Sequence, residues 1–228
     1  MIAALLPVKV FSSSKQRLSG FLTPQERALL ARTMFADVFA ALREAQEMKQ
    51  GLDRLLVVSA EPYVLSRCRQ EGVAVLEERE QLSHSDSVKL ATRWAARLGA
   101  TSLLSVPIDT PAVTPREILS LLREHRKFQV VVVPSADGSG TNALLRTPPD
   151  IIDPRFGPGS CKLHVQAAEA KRLPCSVFHS IGSKSNGLSN DIDTPEDLSH
   201  FLSLDRPCRT TELARQFLRA DREMTACL

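Results

Sequence analysis

The sequence predicts an α/β protein built on a mostly parallel, twisted sheet with helices on both sides. Three observations predict it. Short apolar runs alternate with amphipathic stretches from the start of the chain to about residue 133. In the clearest of these runs, QVVVV at 129–133, four valines follow one another rather than alternating with polar residues, as in a strand buried on both faces. Three Thr-Pro-x-acid segments, at Thr23, Thr114 and Thr194, each open such an amphipathic stretch, the pattern of a capped helix start with proline in the first turn. Strands alternating with helices return by crossovers onto one parallel sheet.

Taken in order, residues 2–7 form the first strand, followed by a serine-rich loop carrying Lys9, Lys15 and Arg17. The capping box at Thr23 starts a long helix, because Leu30, Met34, Val38 and Leu42 recur every fourth residue as a buried stripe. Residues 55–59 are the next strand, 62–70 a helix and 73–76 a short strand. Ser83 to Asp86 caps a helix that runs to about Leu98. An apolar run over Leu103, Leu104 and Val106 stops at Pro107, and Asp109 follows at once. The Thr114 box then starts a helix to about Arg126, and residues 129–133 form the buried strand noted above. After Pro134 the rhythm breaks into a glycine- and proline-rich excursion over 135–160, and a connection that long is usually functional. A helix over 159–172, a strand over 176–181 and a polar turn over 183–187 follow. The Thr194 box opens another helix, and residues 205–228 form a terminal amphipathic helix, either packed on the domain or serving as a partner surface. The reading is one domain over 1–204 with a helical tail over 205–228.

Composition narrows the function classes. With 228 residues, 43% hydrophobic and 24% charged, the chain can build one large core. A net charge of +3 is too small to argue for a nucleic-acid partner, although it suits a site receiving phosphates. Five cysteines (Cys68, Cys161, Cys175, Cys208 and Cys227) show no metal spacing and read as free thiols of a reducing, cytoplasmic compartment. No apolar run is long enough to span a membrane.

Four constellations fall at the predicted carboxyl ends of strands, where open α/β sheets bind ligands. Lys9, Lys15 and Arg17 lie within nine residues and can wrap a polyphosphate, or can be a solvated basic loop. Asp109 is the second; alone it also reads as a turn residue. Asp191 and Asp193, alternate residues of an extended segment, point the same way. Carboxylates from two distant segments suit magnesium, while Asp193 alone could also cap the next helix. The fourth constellation pairs residues 137–142 (DGSGTN) with 156–160 (FGPGS). Their glycine amides and hydroxyls, and the helix start at Ser160, form two nests suited to a small phosphorylated acid, or are a pair of glycine turns. His164 reads as a helix-face residue. No P-loop or dinucleotide fingerprint occurs.

These residues together resemble the 2-phospho-L-lactate guanylyltransferase family of deazaflavin coenzyme F-420 biosynthesis, which includes members using phosphoenolpyruvate or 3-phosphoglycerate. The resemblance covers about residues 3–203. It rests on Pro7-Val8-Lys9, Lys15-Gln16-Arg17-Leu18, Leu22-Thr23-Pro24-Gln25-Glu26-Arg27, Pro107-Ile108-Asp109-Thr110-Pro111, the GSGTNALL run at 138–145, RFGPGS at 155–160 with His164, and DIDTPEDL at 191–198. It implies a three-layer α/β/α nucleotidyltransferase of Rossmann-like topology using GTP and magnesium. Asp109, Asp191 and Asp193 would hold the metal. Lys9, Lys15 and Arg17 would hold the triphosphate, with Asp109, Lys15 and Arg17 serving catalysis. Thr141, Asn142 and Ser160, with backbone near Gly157 and Gly159, would hold the acceptor. The family's Gly-Leu-Asn-x-Ala-Leu run stands here as residues 84–90, HSDSVKL, which places Asp86 beside the nucleotide. The implied reaction is in-line transfer of GMP from GTP to an acceptor phosphate, with the product passed to a downstream transferase. A nucleotide-binding protein without catalysis, and a nucleotidyltransferase acting on a sugar phosphate, are the alternative readings.

Overall fold

A computed structural model describes residues 1–48, 51–178 and 187–226. The strands are β1 (Ile2–Val8), β2 (Arg54–Ser59), β3 (Ala74–Glu77), β4 (Ser102–Ser105), β5 (Val130–Pro134), β6 (Thr141–Arg146) and β7 (Cys175–Val177). They form one sheet in the order β3-β2-β1-β4-β6-β5-β7. Among the described residues β6 alone runs against its neighbours, antiparallel to both β4 and β5, and the other pairs are parallel. The helices are α1 (Pro24–Glu47), α2 (Pro62–Gln70), α3 (His84–Arg97), α4 (Pro115–Arg123), α5 (Ser160–Ala170), α6 (Pro195–Ser203) and α7 (Arg209–Ala226).

Side-chain alternation along the central strands builds the three layers. Ala4, Leu6 and Val8 of β1 face α1, α2 and α4, with Phe35, Val38, Leu42, Val64 and Ile118 in the same cluster. Ala3 and Leu5 point to the other side, onto Val88, Ala91 and Ala95 of α3. Farther along that side, Val130, Val132 and Leu144 pack on Cys161 and Ala168 of α5. A smaller outer cluster joins Leu30 and Met34 of α1 to Phe201 of α6 and to Ala214 and Phe217 of α7. The terminal helix is therefore packed on the domain.

All three Thr-Pro segments form reciprocal capping boxes, at α1, α4 and α6. Each cap satisfies amides that the first turn would leave open, an effect of about 1 kcal/mol. Helix α2 has the expected bounds, and α3 is capped by Ser83 as expected.

One expectation needs correction. The excursion after Pro134 is not loop throughout, because β6 lies inside it and completes the sheet between β4 and β5. Thr141 pairs with Pro134 across an irregular register, so β6 begins where β5 ends. Residues 179–181 of the expected strand, residues 183–186 of the polar turn and the side chain of Cys227 lie outside the described residues. Cys68, Cys161, Cys175 and Cys208 are free. No helix among the described residues is long and apolar enough to cross a membrane.

Candidate active site

A cleft of about 870 Å³ opens at the carboxyl ends of β1 and β4 and at the start of β6. Lys9, Lys15, Arg17, Asp109, Thr141, Asn142, Gly157, Ser160, Asp191 and Asp193 all border it. The reversal of β6 explains why residues at the start of a strand meet residues that follow the ends of others.

The loop after β1 is anchored by Phe11, which is buried and donates its amide to Glu61 Oε2 at 2.9 Å. Lys15 then adopts a left-handed backbone, φ 55°, which costs a non-glycine residue about 1–2 kcal/mol. That turn carries its ammonium inward. The side chain is only 3% exposed, and Nζ pairs with Asp109 Oδ1, lies 3.1 Å from Asp193 Oδ1 and donates to the Ile192 carbonyl at 2.6 Å. Lys15, a residue the sequence assigns to a triphosphate, bridges two carboxylates in this structure. Burial opposes its charge, but Asp109 and Asp193 outweigh that and raise its pKa. Burial likewise pushes the Asp109 carboxyl up, and Lys15, helped by His84 and Lys9, brings it below the usual carboxylate range. Arg17 is exposed, with its guanidinium 3.8 Å from Asp193.

The two acidic segments are tied through their backbones. Ile192 donates its amide to the Asp109 carbonyl at 3.0 Å. The amides of Asp193 and Thr194 both donate to Asp197, and Thr194 caps α6. Capping therefore does not use Asp193, whose carboxylate is left for Lys15 and Arg17. Asp191 is held differently, accepting from Asn142 Nδ2 at 3.0 Å. Burial raises its pKa, and the nearby Asp193 and Asp109 charges add to the rise.

The three expected metal ligands thus come together only in part. Among the described residues no three His, Cys, Asp or Glu side chains surround one ion position, since Asp191 is turned to Asn142. Asp109 and Asp193, from distant segments, already share one cation position, now taken by the Lys15 ammonium. An oxygen donor set of this kind fits a hard divalent cation such as magnesium.

The glycine nests differ from expectation. In the first, Asp137 accepts from Ser139 N and from the hydroxyls of Ser135 and Ser139, which lowers its pKa to about 2. Gly140 N donates to Ser135 Oγ at 2.7 Å. In the second, the Ser160 amide donates to the Gly157 carbonyl and the Cys161 amide to the Ser139 carbonyl. These four amides are bonded inside the loops. Gly159 caps α5 at φ 71° and does not border the cleft. Ser160 and Thr141, which line the cleft, hold their hydroxyls 3.0 Å apart.

Asp86 also departs from expectation. It accepts from Ser83 Oγ at the start of α3, and the cleft is lined instead by Ser83, His84 and Ser85. Ser85 Oγ accepts from the Phe156 amide at 2.9 Å, and His84 stands edge-on to the Phe156 ring at 4.6 Å. Burial, reinforced by the Lys9 charge, lowers the His84 pKa to about 4 despite Asp109. Two residues were not foreseen. His84 is one. The other is His164, wholly buried beneath the hydroxyl pair, its pKa lowered to about 4 by burial and by the charges of Arg146 and Arg155. The signal was present, since His164 is four residues after Ser160 on the same helix face.

The fold and the relatives of the chain together define a nucleotidyltransferase. A protein of Desulfovibrio desulfuricans G20 assigned to the nucleotide-diphospho-sugar transferases superposes with a TM-score of 0.77 over 97% of each chain, at 16% identity. A Mycobacterium tuberculosis protein solved in complex with manganese shares the fold, with a TM-score of 0.51 at 17% identity over 89% of this chain and 97% of that one. The profile of the family described as "Guanylyl transferase CofC like" matches residues 2–221, and the chain belongs to that family. A phosphoenolpyruvate guanylyltransferase of Conexibacter woesei is 36% identical over 203 residues, 88% of this chain and 87% of that one. A 2-phospho-L-lactate guanylyltransferase of Methanothermobacter thermautotrophicus is 32% identical, covering 87% of this chain and 83% of the other. A 3-phospho-D-glycerate guanylyltransferase of Colwellia psychrerythraea is 32% identical, covering 89% and 92%.

Proposed function

We propose that the protein transfers GMP from GTP to the phosphate of a three-carbon phosphorylated carboxylic acid, releasing pyrophosphate, as a step of deazaflavin coenzyme F-420 biosynthesis in the cytoplasm. Phosphoenolpyruvate, 2-phospho-L-lactate and 3-phosphoglycerate are the acids named for its relatives. The observation that carries the reading is the convergence of Asp109 and Asp193 on one cation position, between exposed cations on one side and the Thr141–Ser160 hydroxyl pair on the other.

An acceptor phosphate oxygen attacks the α-phosphorus of GTP in line, a new P–O bond forms, and the bond to pyrophosphate breaks. A phosphate dianion is already nucleophilic, so the chain supplies positioning and charge rather than a base. Lys9 and Arg17 face the cleft and neutralise the triphosphate, and Lys15 is the third cation of the same loop. Asp109 and Asp193, with Asp191 beside them, are the residues that would hold magnesium, which when bound supplies charge neutralisation at phosphate oxygens. Thr141 and Ser160 receive the acceptor, with Asn142 and the Gly157 turn alongside. Ser83, His84 and Ser85 form the wall facing the nucleoside. The product, a guanylylated acid, is handed to a downstream transferase.

Pyrophosphate release from GTP, measured with each of the three acids and with glucose 1-phosphate, tests the proposal. We expect release with at least one acid and none with the sugar phosphate, and loss of on the order of 100-fold or more in Asp109→Asn without unfolding. Turnover of the sugar phosphate alone sinks the acceptor reading, and nucleotide binding without release sinks the enzymatic one.

A further inference from the structure

Thr141, Ser160 and His164 form a chain of hydrogen bonds whose protons can be counted. The count starts from a backbone amide. Arg155 N–H, which can only donate, points at His164 Nε2 from 2.9 Å. Nε2 must therefore present its lone pair, and the ring carries its hydrogen on Nδ1. An imidazolium, or the other neutral form, would set two N–H donors face to face at that distance. Nδ1–H then donates to Thr141 Oγ1, 3.1 Å away. Thr141 Oγ1 is in turn 3.0 Å from Ser160 Oγ. The pair holds two hydroxyl hydrogens. One lies between the two oxygens. The other has no acceptor among the described residues, and Thr141 and Ser160 both line the cleft. The amides of Ser139, Gly140, Ser160 and Cys161 are already bonded within their loops.

We infer that His164 is a positioning residue: donating from Nδ1, it fixes the Thr141–Ser160 pair so that one O–H points into the cleft and takes an acceptor oxygen there. The ligand atom this selects is a hydrogen-bond acceptor, such as a carboxylate oxygen. A ligand group that can only donate, such as an amide or ammonium N–H, meets a donor at the same place and is disfavoured. The inference rests on the proposed placement of the acid at this pair, and it adds how that placement is enforced from behind. The ring is also gripped by Phe156, edge-on at 5.4 Å, which is itself bonded to Ser85. The donor's direction is thus set by packing as well as by hydrogen bonds.

Two measurements test it. In the ligand-free protein labelled with nitrogen-15, a two-bond proton–nitrogen spectrum at neutral pH reads the His164 tautomer directly. A hydrogen on Nδ1 is expected; a hydrogen on Nε2, or a charged ring, overturns the inference. The second compares His164→Leu, which keeps bulk and loses the donor, with His164→Asn, whose side-chain amide can donate to Thr141. Losing one oriented hydrogen bond should raise the KM for the acid about ten-fold in His164→Leu, leaving that for GTP within about two-fold. His164→Asn should recover most of the loss. If Asn is no better than Leu, or if both KM values move together, the ring only fills space and the inference fails. A wild-type enzyme that releases no pyrophosphate with any of the three acids overturns the proposed reaction instead, and the tautomer measurement still decides the role of His164.

Discussion

At the residue scale, Lys15 acts as a resident counter-ion. Its ammonium neutralises two carboxylates that would otherwise repel each other across the cleft floor. Replacing it with methionine leaves Asp109 and Asp193 facing one another. The cost is expected at about 1–3 kcal/mol, below that for a fully buried pair, because the carboxylates are 36% and 39% exposed. In Lys15→Met the thermal midpoint should fall in chelator, and magnesium should restore more there than it adds to the wild type. Equal increments in both proteins would refute a shared cation position. His164 gives a pH signature. Its pKa is near 4 in the fold against 6.5 for a free imidazole, so between those values the unfolded chain binds the extra proton. Stability is then fully present above pH 6.5 and falls as pH drops toward 4, by on the order of 3 kcal/mol. His84 works in the same direction. A urea titration series from pH 7 to pH 4.5 should show a shallower decline for His164→Asn than for the wild type. Asp109 and the pair at 191 and 193 were legible in the sequence, since prolines and caps mark where strands stop. The closure of the first nest by Asp137 was not, because it depends on a side-chain rotamer inside a tight turn.

At the element scale, capping chemistry was the most legible feature. A Thr-Pro start with an acidic residue three positions on has few other uses, and three such segments gave α1, α4 and α6. In α4 the cap does a second job. Glu117 reaches back to Thr114 and also accepts from the Gly187 amide at 3.0 Å and from both Arg206 nitrogens. This fastens the segment carrying Asp191 and Asp193 to the one carrying Asp109. Gly187 sits so close that a Cβ there would lie 2.2 Å from the Ala112 carbonyl oxygen and 2.8 Å from Val113 Cα. Since those are backbone atoms, Gly187→Ala forces the two segments apart, at about 1–3 kcal/mol. A lower thermal midpoint and a several-fold lower kcat are expected; unchanged values for both would show that the close approach is dispensable. Strand β6 was hidden because its short apolar run, ALL at 143–145, lies among glycines and prolines that read as loop.

Across the whole molecule, the alternating pattern was enough to give the layers, since strands buried on both faces require helices on both. What it left open was the role of the last helix. Asp37 of α1 caps its start, accepting from the Thr210 amide at 2.8 Å and its hydroxyl at 2.7 Å, and Phe217 is 8% exposed in the outer cluster with Leu30 and Met34. Phe217→Ala should therefore cost about 3–5 kcal/mol in a urea titration and leave both KM values unchanged. A shift in KM instead of stability would mean that α7 acts on the cleft rather than on the core.

The reversed direction of β6 has a hereditary consequence. Because that strand starts where its neighbours end, Thr141, Asn142, Phe156, Ser160 and His164 all come from one uninterrupted stretch of chain between Pro134 and β7. The cationic and acidic half of the cleft is drawn from three places far apart in the sequence, around residues 9–17, 109 and 191–193. The two halves are consequently unequal in how they vary. If the proposed assignment of acceptor and triphosphate holds, a descendant can exchange the acid it uses through changes confined to one contiguous cassette, inherited or grafted as a block, while a change in how the triphosphate is handled demands concerted substitution in three separate segments.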